Sequence, residues 1–161
     1  SYMAEHQRDA NANELWFHLR NVIDWVEQTF PKYRKEMKGL DWGRLYDEYH
    51  ENIYDTNKLE EQISALMADE EVTSKKGVYE YVLSNCMKER VLSVRAFSEK
   101  DKRTVYEQQK HICPICGKEH PFENMHGDHI VEWSKGGRTV VENLQMVCHD
   151  CHKELTKTMF D

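Results

Sequence analysis

The sequence predicts an α+β chain, mostly α-helical at first and ending in a small module of short strands pinned by cysteines. Three observations predict it. Apolar residues recur at helical spacing in successive runs before Lys110. That period stops after Lys110, where glycines punctuate short apolar pieces. Four of the five Cys and six of the nine His fall between residues 111 and 152.

The elements follow in order. Leu15, Leu19, Val22, Ile23, Val26 and Phe30 form one helical stripe over about 12–30, which Trp16 and Trp25 widen and Pro31 stops. A basic segment from Lys32 leads to Gly39. Asp41 is then the expected N-cap of a second helix carrying Trp42, Leu45, Tyr46 and Tyr49. A third helix is expected over 56–68, with Leu59, Ile63 and Leu66 on one face. A fourth starts near Ser74 and carries Val78, Tyr81 and Val82. Ser98 caps a fifth through Lys110, with Glu99 and Asp101 favourably placed in its first turn. Residues 125–133 are expected to be a short strand-pair region, with Ile130, Val131 and Trp133 as its apolar positions. Loop composition marks 134–139, a turn or short helix spans 140–144, and a short helix runs from Cys151 to Met159. Ser1-Tyr2-Met3 are left out of the fold reading.

Composition narrows the function classes. Hydrophobic residues make up 39% of the 161, enough for modest cores only. No stretch approaches the ~18 apolar residues of a membrane span, and the opening residues do not read as a signal peptide. A cytoplasmic location is therefore expected. The net charge is −7, which argues against coating nucleic acid by bulk electrostatics. The acidity is uneven. Residues 1–94 hold 12 basic and 18 acidic side chains, and residues 95–161 hold 10 and 11.

Cys113-Pro-Ile-Cys116 and Cys148-His-Asp-Cys151 are two C-x-x-C pairs. Each turn holds two sulfurs close enough to share one ion, and two turns complete a tetrahedral Zn²⁺ site. In a reducing compartment this pattern reads as metal before disulfide. Gly117 is free to take the positive φ that such a knuckle requires. The 31 residues between Cys116 and Cys148 exceed the gap of a simple zinc ribbon. A four-thiolate site has no open position, so the zinc is structural and other residues carry any chemistry. Cys86 stands apart and reads as inert.

The insert supplies those other residues. Asp128 and His129 are neighbours, so on a strand they point to opposite faces. His152 directly follows the last thiolate. Zinc binding would therefore bring the helix bearing His152 against the strand bearing Asp128 and His129. Lys135, Arg138, Lys153 and Lys157 are the nearby cations that suit a phosphate, and His126 is a further imidazole in the region.

Taken in order, Cys113/Cys116, Asp128-His129-Ile130, Gly136-Gly137, Asn143-Leu144, Cys148/Cys151 and His152 resemble the HNH nuclease family, in its subgroup with four zinc-binding cysteines. The resemblance implies a ββα-metal fold, two strands and a helix around one divalent ion. Carried over residue by residue, it makes His129 the general base, and Asp128 and His152 the holders of a catalytic Mg²⁺ or other divalent ion. Asn143 would hold the loop around the His129 strand. Glu132-Trp133 stand where many relatives have proline, and His152 in place of Asn is within the family's range.

Upstream, Phe30–Gly43 and Arg95–Arg103 resemble the C-terminal part of bacterial proteins that join a ParB-like domain to an HNH module, as in GmrSD-like type IV restriction systems. The expected organisation is a helical region at 4–95, for support or a partner interface, and an HNH module at 96–161. The expected function is metal-dependent endonuclease cleavage of DNA in defence against foreign DNA. Its partners would be DNA, a nucleotide-dependent ParB-like domain or subunit, and a second copy if both strands are cut. The alternative is a non-catalytic zinc module that binds nucleic acid or a protein.

Overall fold

The computed structural model describes residues 13–158. The chain divides between Val94 and Arg95 into two units, each with its own contacts.

In the first unit α1 spans Asn13–Thr29, and Phe30 N still donates to the Val26 carbonyl. Pro31 has no N–H to continue the ladder. Of the expected stripe, Val22 and Phe30 are buried, while Leu19 and Ile23 are about half exposed and Trp16 points outward. Asp41 caps α2 (Trp42–Tyr49), accepting from Arg44 N at 3.1 Å. Asp55 caps α3 (Thr56–Ala68) through the N–H groups of Asn57 and Lys58. Phe30, Trp42 and Tyr79 meet ring to ring at 5.3–5.7 Å. Arg34 makes a two-armed pair with Glu60, tying the 31–40 segment to α3.

The fourth helix, α4, spans Gly77–Leu83 and starts three residues after the expected Ser74. Residues 74–77 first make a turn, with Gly77 N donating to the Ser74 carbonyl at 3.1 Å. A Cβ at position 77 would lie 1.8 Å from the Val91 carbonyl oxygen, so only glycine admits the 89–92 turn there. A bridge between Val72 and Val94 closes the unit.

In the second unit Ser98 caps α5 (Glu99–Gln108), accepting from Asp101 N at 3.1 Å. The helix stops two residues before the expected Lys110, because Lys110 and His111 take φ +53° and +65°. The chain then makes the Cys113–Lys118 turn, with Gly117 at φ +68°. Strands β1 (Met125–His129) and β2 (Leu144–Cys148) pair antiparallel, with Met125 opposite Cys148 and His129 opposite Leu144. The last helix, α6, spans His149–Thr158; Met159 lies outside the described residues.

Two expectations are corrected here. The strand region ends at His129, not Trp133, and Ile130 and Val131 are exposed. Trp133 is buried, but in a short 3-10 turn at 133–135. After a 3-10 turn at 141–143, the chain continues as β2.

The core of this unit is small: Phe97, Val105, Tyr106, Met125, Leu144 and Met146 with the buried cysteines. One side chain completes its sheet. The Gln109 amide donates to the Met146 carbonyl at 2.9 Å and accepts from Met146 N at 2.8 Å. It thus serves the free edge of β2 as a strand would. Among the described residues no helix is long and apolar enough to cross a membrane.

Candidate active site and metal centre

The four cysteines come together. Cys113 and Cys116 lie on the knuckle turn, Cys148 ends β2, and Cys151 sits in the first turn of α6. All four sulfurs lie within 4.8 Å of one another, and Cys116 and Cys148 are 3.9 Å apart. A tetrahedron with Zn–S near 2.3 Å needs sulfurs about 3.8 Å apart, so spacing and donor chemistry both fit Zn²⁺. The backbone favours a thiolate at Cys113, while Cys148, burial and the other sulfurs push the Cys151 thiol up to about 12. Burial pushes the Cys113 thiol up, but the N–H groups of Cys148, Cys116 and Ile115 outweigh it and bring it down to about 6. Cys148 N donates to Cys113 Sγ at 3.4 Å, and the His120 ring nitrogen lies 3.5 Å from Cys116 Sγ. No other set of three or more Cys, His, Asp or Glu is gathered this tightly among the described residues.

β1 sorts the remaining site residues by strand alternation. Met125, Gly127 and His129 share the face toward α5, where Met125 is buried and a Gly127 Cβ would meet Lys102 and Leu144. His126 and Asp128 share the opposite face, toward α6. The His126 ring stacks on His152 at 5.0 Å, and its Nε2 lies 2.8 Å from His149 Nδ1. Burial first, then His152, His149 and Lys102, hold His126 below the usual imidazole range. Asp128 is therefore on the side of the sheet that carries His152. Among the described residues no hydrogen bond or ion pair engages its carboxylate.

His129 is held on the other face. The Phe97 ring lies 4.5 Å from its own, and Nε2 is 3.0 Å from Thr139 Oγ1. Beyond it, Asn143 closes the loop. Its Oδ1 accepts from Val131 N at 2.8 Å, and its Nδ2 donates to the Val131 and Arg138 carbonyls at 2.9 Å. Gly137 makes this closure possible, since a Cβ there would stand 1.7 Å from the Val131 oxygen.

Of the expected phosphate contacts, Lys135 pairs with Glu132 and Lys157 with Glu154, both exposed. Thr139, Gln109 and His149 were not singled out for a role from the sequence, whereas His126 was named there as a further imidazole. Only His126 had a signal there, its two-residue spacing from Asp128.

Residues 113–158, which hold the two strands, the last helix and both cysteine pairs, are similar to the family model described as HNH endonuclease. A relative is the type IV methyl-directed restriction enzyme EcoKMcrA of Escherichia coli (strain K12), 35% identical over 60 residues. That alignment covers 34% of this chain and 22% of the relative, so the chain spans about a fifth of the relative's length. No solved structure matches significantly.

Proposed function

We propose that the C-terminal unit is a metal-dependent endonuclease that hydrolyses DNA phosphodiester bonds, in restriction of foreign DNA. The observation that carries this reading is the split of Asp128 and His129 across β1, with Asp128 on the α6 side and His129 fixed on the other. The match to the HNH endonuclease model supports the reaction class. The printed activity of the partial relative supports restriction as its setting.

His129 takes the proton of the attacking water, a task suited to an imidazole near neutral pH. The water oxygen bonds to phosphorus, the bond from phosphorus to the 3′ oxygen breaks, and solvent returns a proton to that oxygen. Asp128 and His152 are the residues to hold a divalent ion. When bound, such an ion supplies charge stabilisation to the phosphate and the leaving oxygen. Asn143 keeps the loop closed and takes no part in proton transfer. The four cysteines hold a structural Zn²⁺, which fixes α6 against β2.

The test is plasmid cleavage by the full chain with Mg²⁺, Mn²⁺ or EDTA, for the native sequence and His129→Ala. Cleavage that needs a divalent ion and falls about 10²–10⁴-fold in His129→Ala is expected. Equal cleavage by both proteins would remove His129 as base, and no cleavage by the native chain with either metal would favour the non-catalytic zinc module. Targeting is assigned to another domain or subunit, a ParB-like one by the upstream resemblance, and cutting both strands to paired copies.

A further inference from the structure

We propose that Thr139 is a positioning residue that selects the tautomer of His129, accepting from Nε2–H so that Nδ1 carries the lone pair. The proposal rests on the reading of His129 as base, and it reaches an atom that reading leaves open. A neutral imidazole has one N–H and one acceptor nitrogen. Only the acceptor nitrogen can take a proton from water, so the tautomer decides which side of the ring works as the base.

Three groups form a chain along which each proton can be placed. Thr139 Oγ1 lies 3.0 Å from His129 Nε2 and 3.1 Å from the carbonyl oxygen of Arg95. A carbonyl oxygen only accepts, so the single hydroxyl proton of Thr139 is committed to Arg95. Toward His129 the hydroxyl then offers a lone pair. The nitrogen that faces it must be the N–H, and Nδ1 is left as acceptor.

The surroundings fix each member of the chain. Phe97, itself buried, holds the imidazole from one side at 4.5 Å between centroids. Arg95 is two residues before Phe97, so one segment supplies both the ring contact and the terminal carbonyl. Thr139 follows Arg138, whose carbonyl is clamped by Asn143, and Gly137 lets the loop approach Val131. Asn143 thereby acts on His129 at one remove, by holding the residue before Thr139.

The test uses the full zinc-loaded chain labelled with ¹⁵N-histidine, without a second divalent ion. It is run at about pH 8.5, where ordinary imidazoles are neutral. Long-range ¹H–¹⁵N correlation reads the two ring nitrogens, and His129→Ala assigns the signals. The native protein is expected to show Nε2 protonated and Nδ1 not. Thr139→Val should shift both nitrogens toward the tautomer average. Its kcat on plasmid should fall by about 10–100-fold, as for loss of other partners that orient a working imidazole. Thr139→Ser should restore the native pattern and most of the rate, which separates the hydroxyl from loop packing. A native Nδ1–H pattern overturns the proposal. So does a Thr139→Val protein with unchanged nitrogens and unchanged kcat while His129→Ala is inactive. Full cleavage by His129→Ala instead overturns the reading of His129 as base, and the nitrogen shifts still report on the tautomer.

Discussion

At the scale of the residue, the C-terminal unit depends on a few atoms placed where no alternative fits. Gly136 and Gly137 are adjacent but differ in what they need. Gly136 has φ +91° in open space, while Gly137 stands against the Val131 carbonyl. Gly137→Ala is therefore expected to cost about 1–3 kcal/mol, the range for forced overpacking. It should also lower cleavage, because the same loop carries Thr139. Gly136→Asn, which tolerates a left-handed backbone, should melt close to the native protein. Thermal melts of the two variants decide this, and equal destabilisation would show that the close approach at 137 is not the constraint. The Gly-Gly pair was visible in the sequence, but which glycine is sterically obligatory was not, because the clashing oxygen belongs to another segment. Thr139 was hidden for the same reason: its neighbours are 10 and 44 residues away.

At the scale of the element, local chemistry was readable and borrowed structure was not. Asp41 and Ser98 cap their helices through N–H groups three residues on, a contact written into the local sequence. β2 could not be recognised this way, since its five residues are too few for a clear period. Its edge is completed by Gln109, 37 residues away. Gln109→Ala strands the N–H and carbonyl of the buried Met146. A loss of about 1–3 kcal/mol from the C-terminal unit is expected, measured by denaturant melts. A variant as stable as the native protein would show that water replaces the amide. The cysteines were legible because each C-x-x-C pair is local. Structural zinc contributes about 10–16 kcal/mol in small metal-folded domains. Cys148→Ser is expected to abolish cooperative unfolding of this unit, with elemental analysis falling from one zinc per chain. A native-like melt in that variant would count against zinc as the staple.

At the scale of the whole molecule, charge and stability divide between the two units. Most of the net charge of −7 lies in residues 1–94. That unit is tied by acidic groups on basic partners. The Arg34 guanidinium, hydrogen-bonded to Glu60, holds its carboxyl at about 2 against an ordinary 4.5. A depressed carboxylate stabilises the fold fully above its ordinary value, and that share is lost as pH falls from about 4.5 toward 2. Glu60→Gln should flatten the acid limb of the helical unit, followed by tryptophan fluorescence. An unchanged limb would assign the acid sensitivity to other carboxylates. With a nearly balanced C-terminal unit, DNA binding by this chain alone is expected to be weak and steeply salt-dependent.

The central claim is that His129, on one face of β1, is the base of a metal-dependent DNA cleavage centre. The rate of supercoiled plasmid relaxation by His129→Ala, at native zinc content and saturating Mn²⁺, tests it most directly. The expected result is a rate lower by about 10²–10⁴-fold with the zinc module intact. A variant that cuts at the native rate contradicts the account.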